Sequence, residues 1–225
     1  MSQTFSLVDS LSLGDLQVFL SRAQRVEDGS VRLIAGSGVL AVYVAVLVPV
    51  GLLDESPTVL GLRTFALMTP DSFDVVVPVR SLLERINRLQ AEVVDPTARV
   101  TVSLPMQVNT VTWAAISPPR GGWKALESVA GSLLAAVAKS GIDEVAAALP
   151  TGTGEQLVQR VRSEVWGHPI AGLEYVPAGA AFAGLSLGFL GGSDPVRIYE
   201  TGPWTRLTSE RGHVLVKRRA WSLQR

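Results

Sequence analysis

The longest uncharged stretch of the chain, Leu33 to Leu53 (LIAGSGVLAVYVAVLVPVGLL), is also its most apolar. Val39, Val42, Val44, Val46 and Val48 with Tyr43 suit a strand, because β-branched and aromatic side chains pack well on a pleated surface. Gly36-Ser37-Gly38 is turn chemistry. The stretch therefore predicts a buried hairpin: a short strand from Val31 to Ala35, then a central strand from Val39 to Val48. A membrane helix is the rival reading, since about 20 apolar residues cross a bilayer. The valine content, the Gly-Ser-Gly turn, the interruption at Pro49 and the absence of flanking basic clusters all favour the hairpin.

The rest of the first half is patterned to cover those strands. Ser12 and Asp15 stand at capping-box spacing, and Leu16, Phe19, Leu20 and Ala23 then recur on one helical face. Thr58 to Leu67 and Phe73 to Val77 predict two more strands, joined through Thr69-Pro70-Asp71. Pro78 opens a second helix, where its missing N–H costs little, with Val79, Leu82, Leu83, Ile86 and Leu89 as the apolar stripe. Arg99 to Leu104 alternates cleanly and predicts a last strand. The order is helix, four strands, helix, strand, and its short turns imply a mostly antiparallel sheet with two covering helices.

The texture changes near Pro105, which sets expected domains at 1–105 and 106–225. In the second half, Leu126, Val129, Ala130, Leu133, Leu134 and Val137 form one helical stripe that ends at Gly141, with Ile142 to Leu149 continuing it. Thr153 to Gln156 is a second capping box, opening a helix with Leu157, Val158, Val161 and Val165 inward. Gly167 to Pro177 reads as loop. Ala178 to Leu190 is small-residue-rich and apolar all round, as a buried helix would be. Strands at Val196–Tyr199, Trp204–Thr208 and Val214–Arg218 close the chain. The expected fold is α+β: an N-terminal antiparallel sheet domain, then a helical C-terminal domain ending in a β-hairpin or small meander.

Composition changes this picture little. With 47% hydrophobic and 18% charged residues, a sizeable core forms and disorder is not expected. Twenty basic and twenty acidic residues cancel, so no global field steers nucleic acid or membrane to the chain. Residues 1–100 carry eight Arg against eleven acidic residues, and residues 101–225 twelve basic against nine acidic. There is no cysteine, which removes thiol catalysis, thiolate metal sites and disulfides, and fits a cytoplasmic protein. MSQTFSLVDS has neither the basic nor the apolar region of a signal peptide.

Candidate chemistry is sparse. Gly184-Leu185-Ser186-Leu187-Gly188 matches the G-x-S-x-G nucleophile elbow, and Asp194 and His213 follow in hydrolase order. The match sits inside a predicted helix with no preceding parallel strand, so close helix packing explains it better. Thr151-Gly152-Thr153-Gly154 lacks the Gly-Lys-Ser/Thr of a phosphate loop and reads as a helix entry. His168 and His213 have no carboxylate cluster at metal-ligand spacing. No catalytic residue, metal or cofactor is expected. Two surfaces are left. Pro118, Pro119, Arg120 and Trp123 form a loop whose Trp and Arg are common interface anchors. Trp204, Arg206, Arg211, Lys217, Arg218 and Arg219 gather basic charge around a hairpin that could meet phosphates.

VLGLRTFAL (59–67), ISPPRGGW (116–123) and GPWTRLTSERGHVLVKRR (202–219) resemble a family of conserved actinobacterial proteins of unknown function. The resemblance implies a cytoplasmic, high-GC Gram-positive setting and carries over no activity. Separately, the helix–strands–helix–strand order with VVVPVRSLLERINRL (75–89) is similar to a DNA sliding-clamp half-domain. That similarity covers under half the chain, the second half departs from the pattern, and no clamp function follows from it. The expected function is a non-enzymatic protein-interaction or scaffold protein, acting on an unidentified protein partner through the 116–123 loop or a sheet edge, away from membranes. One alternative is a nucleic-acid-associated protein using the basic hairpin; the other is an enzyme with an inter-domain pocket.

Overall fold

A computed structural model describes residues 3–27, 29–50, 54, 56–109, 111–150, 152, 154–192 and 194–218. The chain divides into two compact units, one comprising 1–45 and 62–116, the other 46–61 and 117–225.

The first unit runs β1 (Thr4–Leu7), α1 (Ser10–Val26), β2 (Ser30–Gly36), β3 (Val39–Leu47), β4 (Thr58–Ala66), β5 (Phe73–Pro78), α2 (Val79–Glu92) and β6 (Val100–Ser103), with the end of β3 and the start of β4 in the second unit. Its larger sheet has the order β5-β2-β3-β4, and β1 pairs antiparallel with β6. The valine-rich stretch is extended, as its side chains demand. Val31, Leu33 and Ala35 sit opposite Val44, Val42 and Leu40 on one side, and Val31 and Leu33 opposite Val77 and Val75 on the other. All eight are buried, so they give β5, β2 and β3 an apolar face. Each such Val or Leu is worth roughly 1.5–3 kcal/mol when fully covered. The opposite face carries Arg32, whose guanidinium donates to both carboxylate oxygens of Asp74 at 2.8 and 2.6 Å. Ser37 (φ 52°) and Gly38 (φ 76°) make the two-residue turn, both in the left-handed region that hairpin twist requires.

Helix α1 buries Leu16, Phe19, Leu20 and Ala23 as the spacing predicts, and packs on α2. Its cap lies three residues earlier than expected: the Asp9 carboxylate accepts the Ser12 N–H at 2.7 Å. That bond holds the Asp9 carboxyl below its ordinary range. Pro78 is the residue before α2 rather than its first turn. β1 was not anticipated; four residues alternating Phe5 and Leu7 inward are too short a signal.

The second unit adds β7 (Lys124–Ala130), α3 (Gly131–Ala148), α4 (Glu155–Gly167), β8 (Pro169–Ile170), β9 (Leu173–Pro177), α5 (Ala178–Ser186), β10 (Pro195–Thr201), β11 (Trp204–Ser209) and β12 (Gly212–Lys217). Its strands run β12-β11-β10-β7, antiparallel throughout, and the opening of β4 lies beside β12. The fold is thus α+β, as expected, but the second unit is a sheet with helices rather than a helical domain with a terminal hairpin. Lys124–Ala130 is a strand, not the start of a helix, because its backbone pairs with β10. Gly167 to Pro177 is largely a small hairpin, β8–β9, rather than loop. Leu157 is exposed, while Val165 is buried as predicted. Gly154 precedes the first turn of α4, accepting from the Leu157 and Val158 N–H groups; Thr151 and Thr153 lie outside the described residues.

Helices α3, α4 and α5 pack together, and α5 also meets β12. Small residues permit this. Gly141 of α3 faces the Trp166 ring, and Trp166 stacks on Phe182 with centroids 4.3 Å apart. The G-x-S-x-G match is used up in ending α5, which stops short of the predicted Leu190. Gly188 turns into the left-handed region at φ 74°. Its N–H donates to Leu185 O at 3.0 Å, and the Phe189 N–H donates to Gly184 O at 2.8 Å. This is a Schellman cap, and it accounts for both glycines without a nucleophile. His213 Nδ1 lies 3.1 Å from Thr208 Oγ1, its cross-strand partner.

Candidate interaction surface

The sheet of the second unit brings the two expected surfaces together at one point. The Arg206 guanidinium on β11 lies 4.5 Å from the centroid of the Trp123 ring and 4.6 Å from that of Tyr199 on β10. The first contact links the Pro-Pro-Arg loop to the basic hairpin; the second follows from the register, in which Tyr199 is opposite Arg206. The Trp123 Nε1–H donates to Pro119 O at 3.1 Å, which fixes the indole against its own loop. A cation over an aromatic face is stabilised by the ring quadrupole, most strongly where water is partly excluded. Burial makes the Arg206 guanidinium somewhat less basic than usual, and its Nε is buried with no hydrogen-bond partner.

The remaining expected residues scatter. Pro118 and Pro119 are half-buried and Arg120 is exposed. Trp204 is 5% exposed and belongs to the core, so it offers no surface for a partner. Arg211 is exposed in the β11–β12 turn, and Lys217 is exposed at the end of β12. Arg218 is committed elsewhere: Nη2 donates to Gly202 O at 2.9 Å and lies 3.6 Å from Glu200 Oε2. Arg219 lies outside the described residues.

Two residues that belong with this surface were missed, Arg197 and Tyr199. Alternation along Val196–Tyr199 places both on the side opposite the buried Val196 and Ile198, a signal that was legible. On the helix-facing side of the same strands a second polar group forms. The Tyr175 hydroxyl donates to Glu127 Oε1 at 2.5 Å. Burial first, and the Glu127 bond second, push the Tyr175 phenol well above its ordinary range, so it stays protonated and acts as a donor. Among the described residues no three His, Asp or Glu side chains converge as a metal site, and no helix is long and apolar enough to cross a membrane.

β7 forms the outer edge of this sheet. Its residues Lys124–Ser128 and Ala130 are exposed and Val129 is half-buried. Among the described residues no strand pairs with its outer side.

Residues 1–106 match a family model described as Domain of unknown function (DUF8010), and residues 118–221 match another, Domain of unknown function (DUF8185). No curated protein sequence matches the chain. Among solved structures it is similar to the DNA polymerase sliding clamp of Caulobacter crescentus at 12% identity and a TM-score of 0.53, over 99% of this chain and 67% of the clamp. A putative DNA polymerase III beta subunit from Eubacterium rectale matches at 10% identity and a TM-score of 0.53, over 97% and 65%. The DNA polymerase III subunit beta of Pseudomonas aeruginosa matches at 12% and 0.50, over 98% and 66%. The chain therefore spans about two thirds of the length of these three chains. At such identities the likeness is one of fold. It corrects the expectation that clamp-like pattern ends near Pro105, because the likeness runs through the second half as well.

Proposed function

We propose that the protein is a non-enzymatic scaffold that holds a protein partner by strand addition along β7, with the Pro118–Arg120 loop at the entrance to that edge. The observation that carries this reading is β7 itself: a seven-residue outermost strand with nearly every residue exposed. An uncovered edge is a template for another backbone, and natural sheets usually blunt or cover theirs. Leu126, 38% exposed, adds an apolar side chain beside that backbone. The fold's likeness to chains described as sliding clamps supports association rather than catalysis as the use of the sheet. The cytoplasmic setting belongs to the same reading.

Hydrogen exchange on the tagged protein, alone and with partners co-purified from its native extract, tests this. Partner binding should protect the amides of 124–130. Leu126→Lys, which blunts an edge with a charge at an exposed position, should abolish retention without lowering the melting temperature. A partner retained equally by that variant, or protection confined to another segment, would sink the proposal.

A further inference from the structure

The register of β10, β11 and β12 defines what stands on the side of the sheet away from the helices. Arg197 is opposite Thr208 and Tyr199 opposite Arg206. Across the next pair, Thr208 is opposite His213, and Trp204 opposite Lys217. Paired residues share a face, so Arg197, Tyr199, Arg206, His213 and Lys217 all project from one side. Trp123 reaches the same side, because Arg206 lies between its ring and that of Tyr199. Trp204 and Leu215 also stand there and are buried, whereas Arg197 and Lys217 are exposed and Tyr199, Arg206 and Trp123 are half-buried.

The carboxylates of these strands face the other way. Glu127 accepts from the Tyr175 hydroxyl, and Glu200 is directed to Arg218. Glu210 sits in the β11–β12 turn beside Arg211, beyond the end of the face. The face thus combines three permanent cations, a titratable imidazole and two aromatic rings with no strand carboxylate among the described residues. That composition calls for a ligand that is both polyanionic and flat-ringed.

We propose that this face of β10–β12, with Trp123, binds a single-stranded nucleic acid. Arg197 and Lys217 sit at opposite corners of the face, roughly 16 Å apart by strand spacing and residue rise, and meet phosphates. The Trp123–Arg206–Tyr199 stack offers bases an aromatic plane. Base planes are free to stack in this way only in a single strand, since those of a duplex are already stacked on one another. An acidic peptide would satisfy the cations but leave the rings without a planar partner.

The test uses the full chain and a fluorescein-labelled 20-mer of dT, with a duplex of equal length and poly-glutamate as competitors. Anisotropy should show dT binding at low salt, with log K falling against log salt at a slope near −1.4, about 0.7 for each of the two phosphates met by Arg197 and Lys217. Arg197→Ala with Lys217→Ala, both exposed, should reduce that slope by about 1.4 at an unchanged melting temperature. Tyr199→Ala should weaken binding roughly 5- to 150-fold and leave the slope alone, as loss of one stacked base predicts. No binding at low salt, duplex bound as tightly as dT, or poly-glutamate displacing dT as well as unlabelled dT does would each overturn the proposal. The last result would assign the face to an acidic protein. None of these outcomes bears on the β7 edge, so the two readings fail separately.

Discussion

His213 illustrates how much a single side chain's surroundings decide. Burial, and then the charge of Arg206, lower its pKa below the ordinary histidine value. The unfolded chain therefore binds the proton more readily than the folded one. The stability His213 contributes is fully present above about pH 6.5 and is lost as pH falls through the lowered folded value. Thermal melts at pH 7, 6 and 5 should show a decline that His213→Gln makes shallower; an identical decline in both proteins would remove the linkage. From the sequence alone this histidine reads as structural or solvated, because neither Thr208 nor Arg206 announces itself as its neighbour until the strands pair. Trp123 and Trp204 carry the same lesson. Both are indoles near basic residues, yet one stacks on Arg206 at the surface and the other is buried. Only the register separates them.

At the level of elements, β2 and β3 were legible because valine spacing and the Gly-Ser-Gly turn agree with one another. β7 was not. Lys-Ala-Leu-Glu are good helix formers, and their apolar positions continue the α3 stripe without a break. Pairing with β10 overrides that preference, and the helix begins only at Gly131, whose N–H donates to Asp194 O at 3.1 Å. Within the helical layer, packing leaves no spare room at Gly141, where an added methyl would stand 2.3 Å from Trp166 Cζ3. Trp166 is itself stacked on Phe182 and cannot simply withdraw. Gly141→Ala should therefore destabilise by about 1–3 kcal/mol, even though alanine is the better helix former, as a urea melt would measure. A stabilised variant would mean that α3 and α4 separate more easily than their packing implies.

For the whole molecule, the division into units does not follow the order of the chain. The second unit takes 46–61 as well as 117–225. Val46, Leu47, Val59 and Leu60 from that inserted segment are buried, and the opening of β4 lies beside β12. A fragment of residues 118–225 is accordingly expected to lack the cooperative unfolding of the intact chain, because β12 is left with a bare side. Circular dichroism through a denaturant series checks this; a sharp transition in the fragment would show that the inserted segment is dispensable. The sequence change near Pro105 pointed to a division but gave no hint that a hairpin from the first half serves the second. Such sharing arises from pairing between distant strands, which local pattern does not encode. It follows that recombination could not deal the two halves out as separate modules. A gene inheriting only the later one would encode a protein short of a strand, so lineages should keep or lose the pair together.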